Sequence, residues 1–553
     1  MTGLRLDLID IPRIPEERAR RYREAGLWRS ETLDEMILTR GSATPDRCAL
    51  VAEGRRTTYG ELAALVGRAE RRLRAAGVNR GDTVVVQVPN SREYVVLVLA
   101  LMRLGAPPVL TLPSLREYEL DRIIGLVRPS SIVIPRRVRR FDHLGMVQKL
   151  KPRHPYLVRT LVVDGEAAEP DVADLTGLCD PPGDDPPAEG RGAASPKDVA
   201  LFLLSSGTTG SSKLIARTHE DYGYVIRTTT EIAALSADSV YLAVMPATHT
   251  FVLAYPGVLG TLAAGGTVVL GSPEDPRKVL RTVQEERVTH CAAVPGLVKQ
   301  WLTLLGREPY DVSSLKVLQV GGARLDAPTA ARAKAELGCS VQQVYGMSEG
   351  LTNYTRLDDP DEVVFSSQGR PASPADEIVI VDEDDAPVPA GEVGQLLTRG
   401  PFTVAGYYRD EAATKRAFTA DGFYRTGDLV RLRPDGNLEV VGRIKNVINR
   451  GGEKICAEEL EELVQELPGV SAVAAVPMPH PGFGEIVCLY LVPGGENAPD
   501  LGDVRRHLES RGLARYKLPE RLELLDAMPL IGVGKINRTE LRERAAAIAA
   551  GVG

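Results

Sequence analysis

The sequence predicts an α/β fold with largely parallel sheets. The first observation is a β-α-β unit: residues 82–88 (DTVVVQV) have the length and apolarity of a buried strand, a helix follows from Ser91 to Leu104, and residues 109–112 (VLTL) are the next strand. Gly105 ends that helix. The second observation is that strands and helices continue to alternate further along the chain, as in parallel sheets covered by helices.

The alternation recurs in the middle of the chain. Residues 239–245 are strand-like and the stretch after Pro256 is helical. A pair of glycines then turns the chain into a strand at 267–270, and a further strand at 317–320 precedes another glycine pair. These repeated units extend the same α/β architecture over most of the chain.

The pattern changes from about Glu377. Short alternating strands separated by Asp-Gly and Gly-Gly turns follow (IVIVD, GQLLTRG, NLEVVGR), and the last part of the chain has its own helix (457–467) and strands (471–476 and 486–492). We therefore expect a domain boundary near Lys445. It divides the chain into a large domain, residues 1–444, and a small domain, residues 445–553.

Composition excludes several classes of protein. The 553 residues suggest roughly two to four folding units. A net charge of −7 gives no support to nucleic-acid binding, and the longest apolar run, 94–102, is too short to span a bilayer. The N-terminus is charged and does not resemble a signal peptide. The six cysteines include no CxxC pair, so we expect reduced thiols in a cytoplasmic protein. The segment 164–196 is polar and rich in proline, so we expect it to be a solvated loop.

The stretch SSGTTGSSK has the composition of a phosphate-binding loop. It directly follows the apolar strand 199–204, so its backbone N–H groups and hydroxyls can converge on an anion, and its lysine adds a positive charge. The spacing of the glycines is not that of a P-loop NTPase. The candidate phosphate ligands are Ser205, Ser206, Gly207, Thr208, Thr209, Gly210 and Lys213.

Three further segments carry chemistry suited to a nucleotide. In QVYGMSEG, Tyr345 can stack on a purine and Glu349 can hold a Mg²⁺ ion that bridges phosphate oxygens. In YRTGD, Asp428 lies on a tight turn, where a carboxylate suits a ribose diol. Near the C-terminus, Lys535 follows a glycine loop.

Together these segments resemble, in order and spacing, the motif series of the adenylate-forming superfamily, which includes acyl-CoA synthetases, nonribosomal peptide synthetase adenylation domains and luciferases. The match runs from 199 to 538. Within that superfamily the chain is most similar to stand-alone aryl-acid AMP ligases, such as 2,3-dihydroxybenzoate- and salicylate-AMP ligases. The segments that carry this are SSGTTGSSKLIARTHEDY, PATHTFVLAYPGVLGTLAAGGTVVL, QQVYGMSEGLTNYTRLDDP and INRGGEKICAEELE.

The resemblance implies a fold like that of acetyl-CoA synthetase. A large N-terminal domain of βα-layered sheets would carry a distorted β-barrel subdomain, followed by a small, mobile α+β C-terminal domain hinged at Lys445. It also implies two steps. The acid attacks the α-phosphate of ATP to give acyl-AMP and pyrophosphate, and a thiol then takes the acyl group, after the small domain rotates to bring Gly451 and Gly452 to a thiol tunnel.

The resemblance also implies roles for individual residues. Lys535 would bridge the attacking carboxylate and the α-phosphate, and the Ser205–Lys213 loop would hold the β- and γ-phosphates. Arg443 would help to fix the ribose and phosphates. The adenine and AMP site would further include Gly322, Ala323, Val344, Tyr345, Gly346 and Met347. The acyl pocket would be lined by His249, Thr250, Phe251, Tyr255, Gly321, Gly322, Val344, Met347 and Thr352, with His249 gating or orienting the substrate.

Three acyl-pocket positions depart from the family pattern. Thr250 stands where the dihydroxybenzoate and salicylate enzymes have an asparagine that meets the 2-hydroxyl of the substrate. Tyr255 replaces a small serine or cysteine near the 3-position of the ring, and Thr352 replaces an apolar residue. We therefore expect a substituted benzoate-type or heteroaryl acid other than salicylate or 2,3-dihydroxybenzoate.

The acceptor of the acyl group must come from elsewhere, because no carrier domain follows Lys535. The resemblance favours a phosphopantetheinylated aryl carrier protein in siderophore or antibiotic biosynthesis. Alternatives are an aryl-CoA ligase, a salicylate- or dihydroxybenzoate-AMP ligase, and a non-catalytic ligand-binding homologue. The presence of Lys213, Glu349, Asp428, Arg443 and Lys535 argues against the last alternative.

Overall fold

The computed structural model describes residues 11–164, 172–180, 192–205, 213–272, 275–382, 384–444, 447–495, 498–531 and 535–551. The helices are α1 Glu16–Glu24, α2 Leu33–Ala43, α3 Tyr59–Ala75, α4 Arg92–Leu104, α5 Glu117–Val127, α6 His143–Leu150, α7 His219–Ile232, α8 Thr250–Ala254, α9 Gly257–Ala263, α10 Pro276–Glu285, α11 Pro295–Leu305, α12 Ala327–Leu337, α13 Asp361–Ser366, α14 Glu411–Ala417, α15 Ala457–Gln465, α16 Leu501–Ser510 and α17 Arg538–Ala549. The strands are β1 Cys48–Ala52, β2 Arg55–Thr58, β3 Val84–Val86, β4 Pro108–Leu110, β5 Ser131–Ile134, β6 Arg137–Val138, β7 Phe141–Asp142, β8 Arg159–Val162, β9 Val172–Asp174, β10 Val199–Ser205, β11 Lys213–Thr218, β12 Val240–Ala243, β13 Thr267–Leu270, β14 His290–Ala293, β15 Val317–Val320, β16 Ser340–Met347, β17 Gly350–Tyr354, β18 Arg370–Pro371, β19 Glu377–Val381, β20 Val393–Arg399, β21 Tyr424–Leu432, β22 Leu438–Arg443, β23 Val447–Arg450, β24 Glu453–Cys456, β25 Val470–His480, β26 Gly484–Pro493, β27 Arg521–Leu524, β28 Leu530–Ile531 and β29 Lys535–Ile536.

Two large sheets form the N-terminal part. The first has nine strands in the order β18-β17-β16-β15-β14-β12-β13-β1-β2, and the second has seven in the order β11-β10-β4-β3-β5-β8-β9. Pairing is parallel from β1 to β16 in the first sheet and from β10 to β9 in the second, with antiparallel strands at the edges. The predicted α/β class with largely parallel sheets is confirmed.

The first predicted β-α-β unit shows why these residues fold as they do. The side chain of Ser91 caps α4 by accepting from the Tyr94 N–H, and Gly105 ends the helix with φ +72°, a conformation that glycine adopts at little cost. The side chains of α4 from Tyr94 to Leu104 are buried on all sides of the helix, which lies between the two large sheets. The flanking strands β3 and β4 pair in parallel, as the pattern predicts.

The segment 164–196 is less open than its polarity suggested. Among its described residues, Val172–Asp174 adds a parallel edge strand beside β8, and Leu175, Leu178 and Cys179 are buried. The prediction of a solvated loop is therefore wrong for this part. A few apolar side chains suffice to anchor it, because an open sheet edge offers backbone partners.

A third sheet, antiparallel, follows in the order β19-β20-β21-β22. Its last strand also bonds to the segment before β18, through Gln368 N–H to Leu438 O and Leu438 N–H to Gly369 O (both 2.8 Å). In the described residues the expected barrel subdomain is thus an open sheet that closes partly onto the first large sheet.

The C-terminal region (residues 447–551 as described) has its own sheet, β24-β23-β26-β25 with β27 beside β26. One face of this sheet packs under α15 and α16, and the other face packs under α17. The third sheet ends at Arg443 and this sheet begins at Val447, on either side of the boundary expected near Lys445. No helix in the described residues has the length and apolarity needed to cross a membrane.

Candidate functional site

A cavity of about 280 Å³ lies where the ends of the two large sheets meet the C-terminal region. Its wall is built from the end of β10, the loop after β15, the end of β16, the start of α8 and the first residues of the C-terminal region. Predicted site residues that line it are Ser205, His249, Thr250, Phe251, Tyr255, Gly321, Gly322, Ala323, Val344, Tyr345, Gly346, Met347, Glu349, Asp428 and Gly452. Segments that are far apart in the sequence therefore form one site.

The phosphate end of the cavity is organised around Glu349. Its Oε1 accepts hydrogen bonds from the Ser205 hydroxyl (2.6 Å) and the Tyr407 hydroxyl (3.0 Å). Lys213 is buried at the start of β11, with Nζ 4.8 Å from the centre of the Tyr407 ring. Ser205 is thus bonded directly to the QVYGMSEG segment, and Lys213 lies against Tyr407, which bonds to the same carboxylate oxygen.

The nucleoside side contains Tyr345 and Asp428. The Tyr345 hydroxyl donates to Asp428 Oδ2 at 2.7 Å, which fixes the ring across the cavity wall. Asp428 is buried and follows Gly427 (φ +72°) inside β21, at an irregularity in the pairing with β20, so it does not lie on the tight turn predicted from the sequence. Its partner in the β21–β22 register is Arg443, of which the structure describes the backbone alone.

Glycines allow the backbone to approach the cavity closely. A Cβ on Gly321 would lie 2.9 Å from the Val344 carbonyl oxygen and 3.1 Å from the Phe251 ring. Gly322 has φ +80°, a region that side chains disfavour. Gly321 is therefore required by packing, and Gly322 by its backbone conformation.

His249 lines the cavity and caps α8. Its Nδ1 accepts from the Phe251 N–H at 3.3 Å. Enclosure by protein, together with the Lys454 ammonium, lowers the pKa of His249 to about 4. A neutral ring whose Nδ1 is an acceptor carries its proton on Nε2, so His249 is a hydrogen-bond donor at neutral pH rather than a cation.

The acyl end of the cavity has a second layer of tyrosines. Thr250 Oγ1 and the hydroxyl of the fully buried Tyr222 are 2.7 Å apart. The Tyr255 hydroxyl donates to the Met347 carbonyl oxygen at 3.1 Å, so that phenol is held across the pocket. Tyr222 is the last residue of the segment SSGTTGSSKLIARTHEDY, but sequence analysis did not select it as a site residue.

The position of Thr352 corrects one expectation. Thr352 is fully buried and lies opposite Gly346 in the β16–β17 register, where a Cβ on Gly346 would come within 2.8 Å of Thr352 Oγ1. Gly346 lines the cavity and Thr352 does not. The Thr352 side chain packs over Gly346 from the paired strand, so it adjoins the wall without lining the cavity.

A second cavity, of about 210 Å³, adjoins the first at His249 and lies between the N- and C-terminal regions. Apolar residues make up most of its wall, among them Val252, Val294 and Leu297. Gly451 and Gly452, the predicted tunnel residues, line it, and a Cβ on Gly452 would lie 2.6 Å from Val294 Cγ1. Nearby, Asn449 Nδ2 donates to the Gly322 carbonyl at 2.6 Å.

The structure does not bring Lys535 to this site. Its strand β29 precedes Ile536, which packs in the cluster under α17. The first cavity instead meets the α15 side of the C-terminal sheet, through residues 452–454, 459 and 516–517. The backbone alone of Lys535 is described; its strand β29 pairs with β28 in a two-stranded sheet of its own, and the adjoining Ile536 places that strand on the α17 side of the C-terminal sheet.

Several predicted residues lie outside the described ones: Ser206, Gly207, Thr208, Thr209, Gly210 and Lys445. Conversely, the cavity wall contains residues that sequence analysis did not select, namely Glu119, Glu459 and Lys517. They are single charged residues in helices or turns, and their sequence context carries no signal that they are buried.

Comparison with known proteins gives the chain's relatives. Residues 38–408 match the family model of AMP-binding enzymes, and residues 459–535 match that of the AMP-binding enzyme C-terminal domain. A curated Streptomyces protein, "Salicylyl-CoA synthase / salicylate adenylyltransferase", is 47% identical, with 96% of each chain covered. A Mycobacterium tuberculosis protein, "Salicyl-AMP ligase / salicyl-S-ArCP synthetase", is 41% identical over 95% of this chain and 92% of its own.

Solved structures agree with these relatives. The apo structure of Mycobacterium smegmatis MbtA superposes with a TM-score of 0.74 at 40% identity, covering 97% of this chain and 99% of that one. The two family models cover most of the motif series from 199 to 538, and the first model and the curated relatives extend well N-terminal of it. The chain belongs to the AMP-binding enzyme family, and it is an adenylating enzyme related to the aryl-acid AMP ligases.

Proposed function

We propose that this member of the AMP-binding enzyme family activates an aryl or heteroaryl carboxylic acid with ATP and then transfers the acyl group to the phosphopantetheine thiol of a separate aryl carrier protein. One observation carries the proposal. A single cavity joins the anion-binding end at Ser205 and Glu349 and the nucleoside side at Tyr345 and Asp428 to a pocket walled by aromatic residues.

In the first step a carboxylate oxygen attacks the α-phosphorus, a new O–P bond forms, and the P–O bond to pyrophosphate breaks. Such displacement depends on positioning and charge neutralisation. Ser205, the neighbouring loop and Lys213 would hold the departing phosphates, while Asp428 would accept from the ribose hydroxyls. Lys535 would neutralise charge at the α-phosphate in an arrangement that brings β29 to the cavity.

The residues at the phosphate end fit a Mg²⁺ ion. The hydrogen bonds from Ser205 and Tyr407 both fall on Oε1 of the Glu349 carboxylate, and carboxylate and hydroxyl oxygens are the ligands that Mg²⁺ prefers. The described residues contain no cluster of three or more His, Cys, Asp or Glu side chains able to hold a metal. Proteins usually bind Mg²⁺ through one or two carboxylates together with phosphate oxygens of the substrate. An ion bound in this way would neutralise charge on the phosphates.

In the second step a thiol sulfur attacks the acyl carbonyl carbon, a C–S bond forms, and the C–O bond to AMP breaks as AMP leaves. The second cavity supports this step, because its mostly apolar wall can pack against a pantetheine chain and it meets the first cavity at His249. The arrangement described, with Gly452 at the cavity and β29 turned away, corresponds to acyl transfer. Adenylation would then require the C-terminal region to swivel at Lys445.

The acyl end favours an acid other than salicylate or 2,3-dihydroxybenzoate. Tyr255 is held across the pocket by its bond to Met347, which leaves little room for a 3-substituent. Thr250 is shorter than the asparagine expected there, and its hydroxyl pairs with Tyr222. Amino- or hydroxy-benzoates of another substitution pattern and pyridine carboxylates are the candidate substrates.

The name of the Streptomyces relative supports a second candidate, an aryl-CoA ligase that acts on the same acids. The two functions differ in the acceptor alone. Incubation of the acyl-adenylate with coenzyme A or with a phosphopantetheinylated carrier protein separates them: a carrier-dependent enzyme releases AMP with the carrier and shows no more than background release with coenzyme A.

The test of the proposed function is ATP–pyrophosphate exchange over a panel of substituted benzoates and heteroaryl carboxylates. We expect exchange that depends on an aryl acid and falls roughly a hundredfold or more in Lys535→Ala, because that change removes a charge used in the transition state. Exchange without any aryl acid in the panel contradicts the proposal. If exchange with salicylate is as fast as, or faster than, exchange with every other acid of the panel, the substrate assignment is contradicted.

A further inference from the structure

A buried cluster of three charged side chains joins the two regions of the chain beside the first cavity. Glu119 lies on α5 of the N-terminal region, and Glu459 and Lys517 lie in the C-terminal region. They are 4%, 6% and 7% exposed. Glu119 and Lys517 are outside every motif of the predicted series, Glu459 lies in the segment INRGGEKICAEELE without an assigned role, and the proposed chemistry uses none of the three.

The contacts are specific. Lys517 Nζ lies 2.8 Å from Glu459 Oε2 and 3.5 Å from Glu119 Oε1. The same Glu119 Oε1 accepts from the Ala514 N–H at 2.9 Å, and Oε2 accepts from the Arg116 N–H at 3.0 Å. Both oxygens of Glu119 are therefore satisfied, one by its own helix and one by the C-terminal region.

Because these charged groups are buried, their stability depends on how the C-terminal region is docked against the N-terminal region. Burial alone would lower the pKa of Lys517, but Glu459, Tyr516 and Glu119 raise it above its usual value, so the ammonium remains charged. A buried ammonium is stable only with carboxylate partners, and a buried carboxylate only with donors. Glu119 supplies one such partner, and it gains the Ala514 N–H, only while the C-terminal region is docked as described.

We propose that Glu119 is a positioning residue for acyl transfer, which holds the C-terminal region against the cavity while the thiol attacks. The inference rests on the proposed two-step function. When the C-terminal region rotates to bring Lys535 to ATP, Glu119 and the Lys517–Glu459 pair separate. Glu119 therefore favours the second step without contributing to the first.

The test measures both half-reactions of full-length Glu119→Gln. We expect ATP–pyrophosphate exchange within about twofold of wild type, and a single-turnover transfer rate from pre-formed acyl-AMP to the thiol lowered about tenfold or more, the scale for loss of one partner of a buried charge pair. The matched control is Glu117→Gln, two residues earlier on α5. Its ion-pair partner Arg153 belongs to the same N-terminal region, with 2.8 Å between Arg153 Nη2 and Glu117 Oε1. It should leave both half-reactions unchanged.

Unchanged transfer in Glu119→Gln, or parallel losses in both half-reactions, overturns the inference. If Glu119→Gln does not fold, Lys517→Gln is judged by the same two measurements from the other side of the interface. Absence of aryl-acid-dependent exchange in the wild type defeats the proposed function instead, so the two failures are distinguishable.

Discussion

The nucleotide side and the acyl side of the same cavity are built in different ways. On the nucleotide side, motif residues hold one another: Ser205 bonds to Glu349, and Tyr345 bonds to Asp428. On the acyl side, Thr250 is held by Tyr222, which no pattern in the sequence assigns to the pocket. Phosphate and ribose require particular polar groups, whereas an aromatic acid requires a shape, and shape depends on residues behind the wall.

Asp428→Asn should give the largest effect and tests the nucleotide side. The change removes a charged acceptor from Tyr345 and from the ribose, and such bonds are worth about 1.5–3 kcal/mol. We expect kcat/KM for ATP in pyrophosphate exchange to fall roughly ten- to a hundredfold, while KM for the acid stays within about twofold. The control is Asp435→Asn, on the exposed turn between β21, which contains Asp428, and β22. A comparable loss of affinity for the acid would show that the two sides are not separate.

Tyr255→Ser tests the acyl side. Loss of the phenol opens the pocket near Met347, so acids with a 3-substituent should gain about tenfold in kcat/KM relative to the best wild-type substrate, on the scale of one group in an apolar pocket. The cavity should also cost roughly 3 kcal/mol of stability. Tyr255→Phe keeps the ring and should keep the preference. An unchanged ranking of acids in Tyr255→Ser would mean that this ring does not limit the pocket.

Tyr222→Phe should have a smaller effect, because Tyr222 acts through Thr250. Loss of that single hydrogen bond, about 1 kcal/mol, predicts a roughly fivefold rise in KM for the acid and unchanged kcat/KM for ATP. Tyr224→Phe, on the same helix, removes a bond to Ser373 (2.8 Å) away from the pocket and serves as control. The comparison is sharpened if steady-state exchange shows the effect in the KM of the acid alone.

His219 gives the smallest effect, and it concerns stability. Its Nδ1 accepts from the Leu33 N–H, and burial lowers its pKa to about 4. In the unfolded chain His219 therefore binds a proton near pH 6.5, whereas in the folded chain it stays neutral down to about pH 4. The stability that the neutral ring contributes to the fold is complete above pH 6.5 and is lost as the pH falls toward 4. Urea unfolding of wild type and His219→Asn should show a steeper loss of stability in the wild type, by about 1 kcal/mol per pH unit. Parallel curves would contradict this.

The contrast also explains how much the sequence could predict. The alternation of apolar strands and helices was enough for the α/β class, and Gly105 and Ser91 marked the ends of one helix. The nucleotide residues were identifiable because phosphate chemistry limits both residue type and spacing. Glu349 and Asp428 therefore lie in the cavity wall as predicted.

What could not be predicted depends on long-range packing. The family position of Thr352 predicts a place in the acyl pocket, but its side chain packs against Gly346 of the paired strand and does not line the cavity. Tyr222 and Glu119 contact the site from helices far away in the sequence, so no local pattern indicates their partners. The orientation of the C-terminal region, which turns β29 away from the cavity, is likewise a tertiary property.

The central claim, that this cavity joins an aryl acid to AMP, is tested most directly by identifying the product of a single turnover. Enzyme in excess is mixed with ATP, Mg²⁺ and the best acid of the panel, without any thiol, and the quenched mixture is analysed by mass spectrometry. The account predicts one acyl-adenylate per active site and an equal amount of pyrophosphate. Cleavage of ATP to ADP and phosphate, or AMP and pyrophosphate with no acyl-adenylate bound or released, would contradict it.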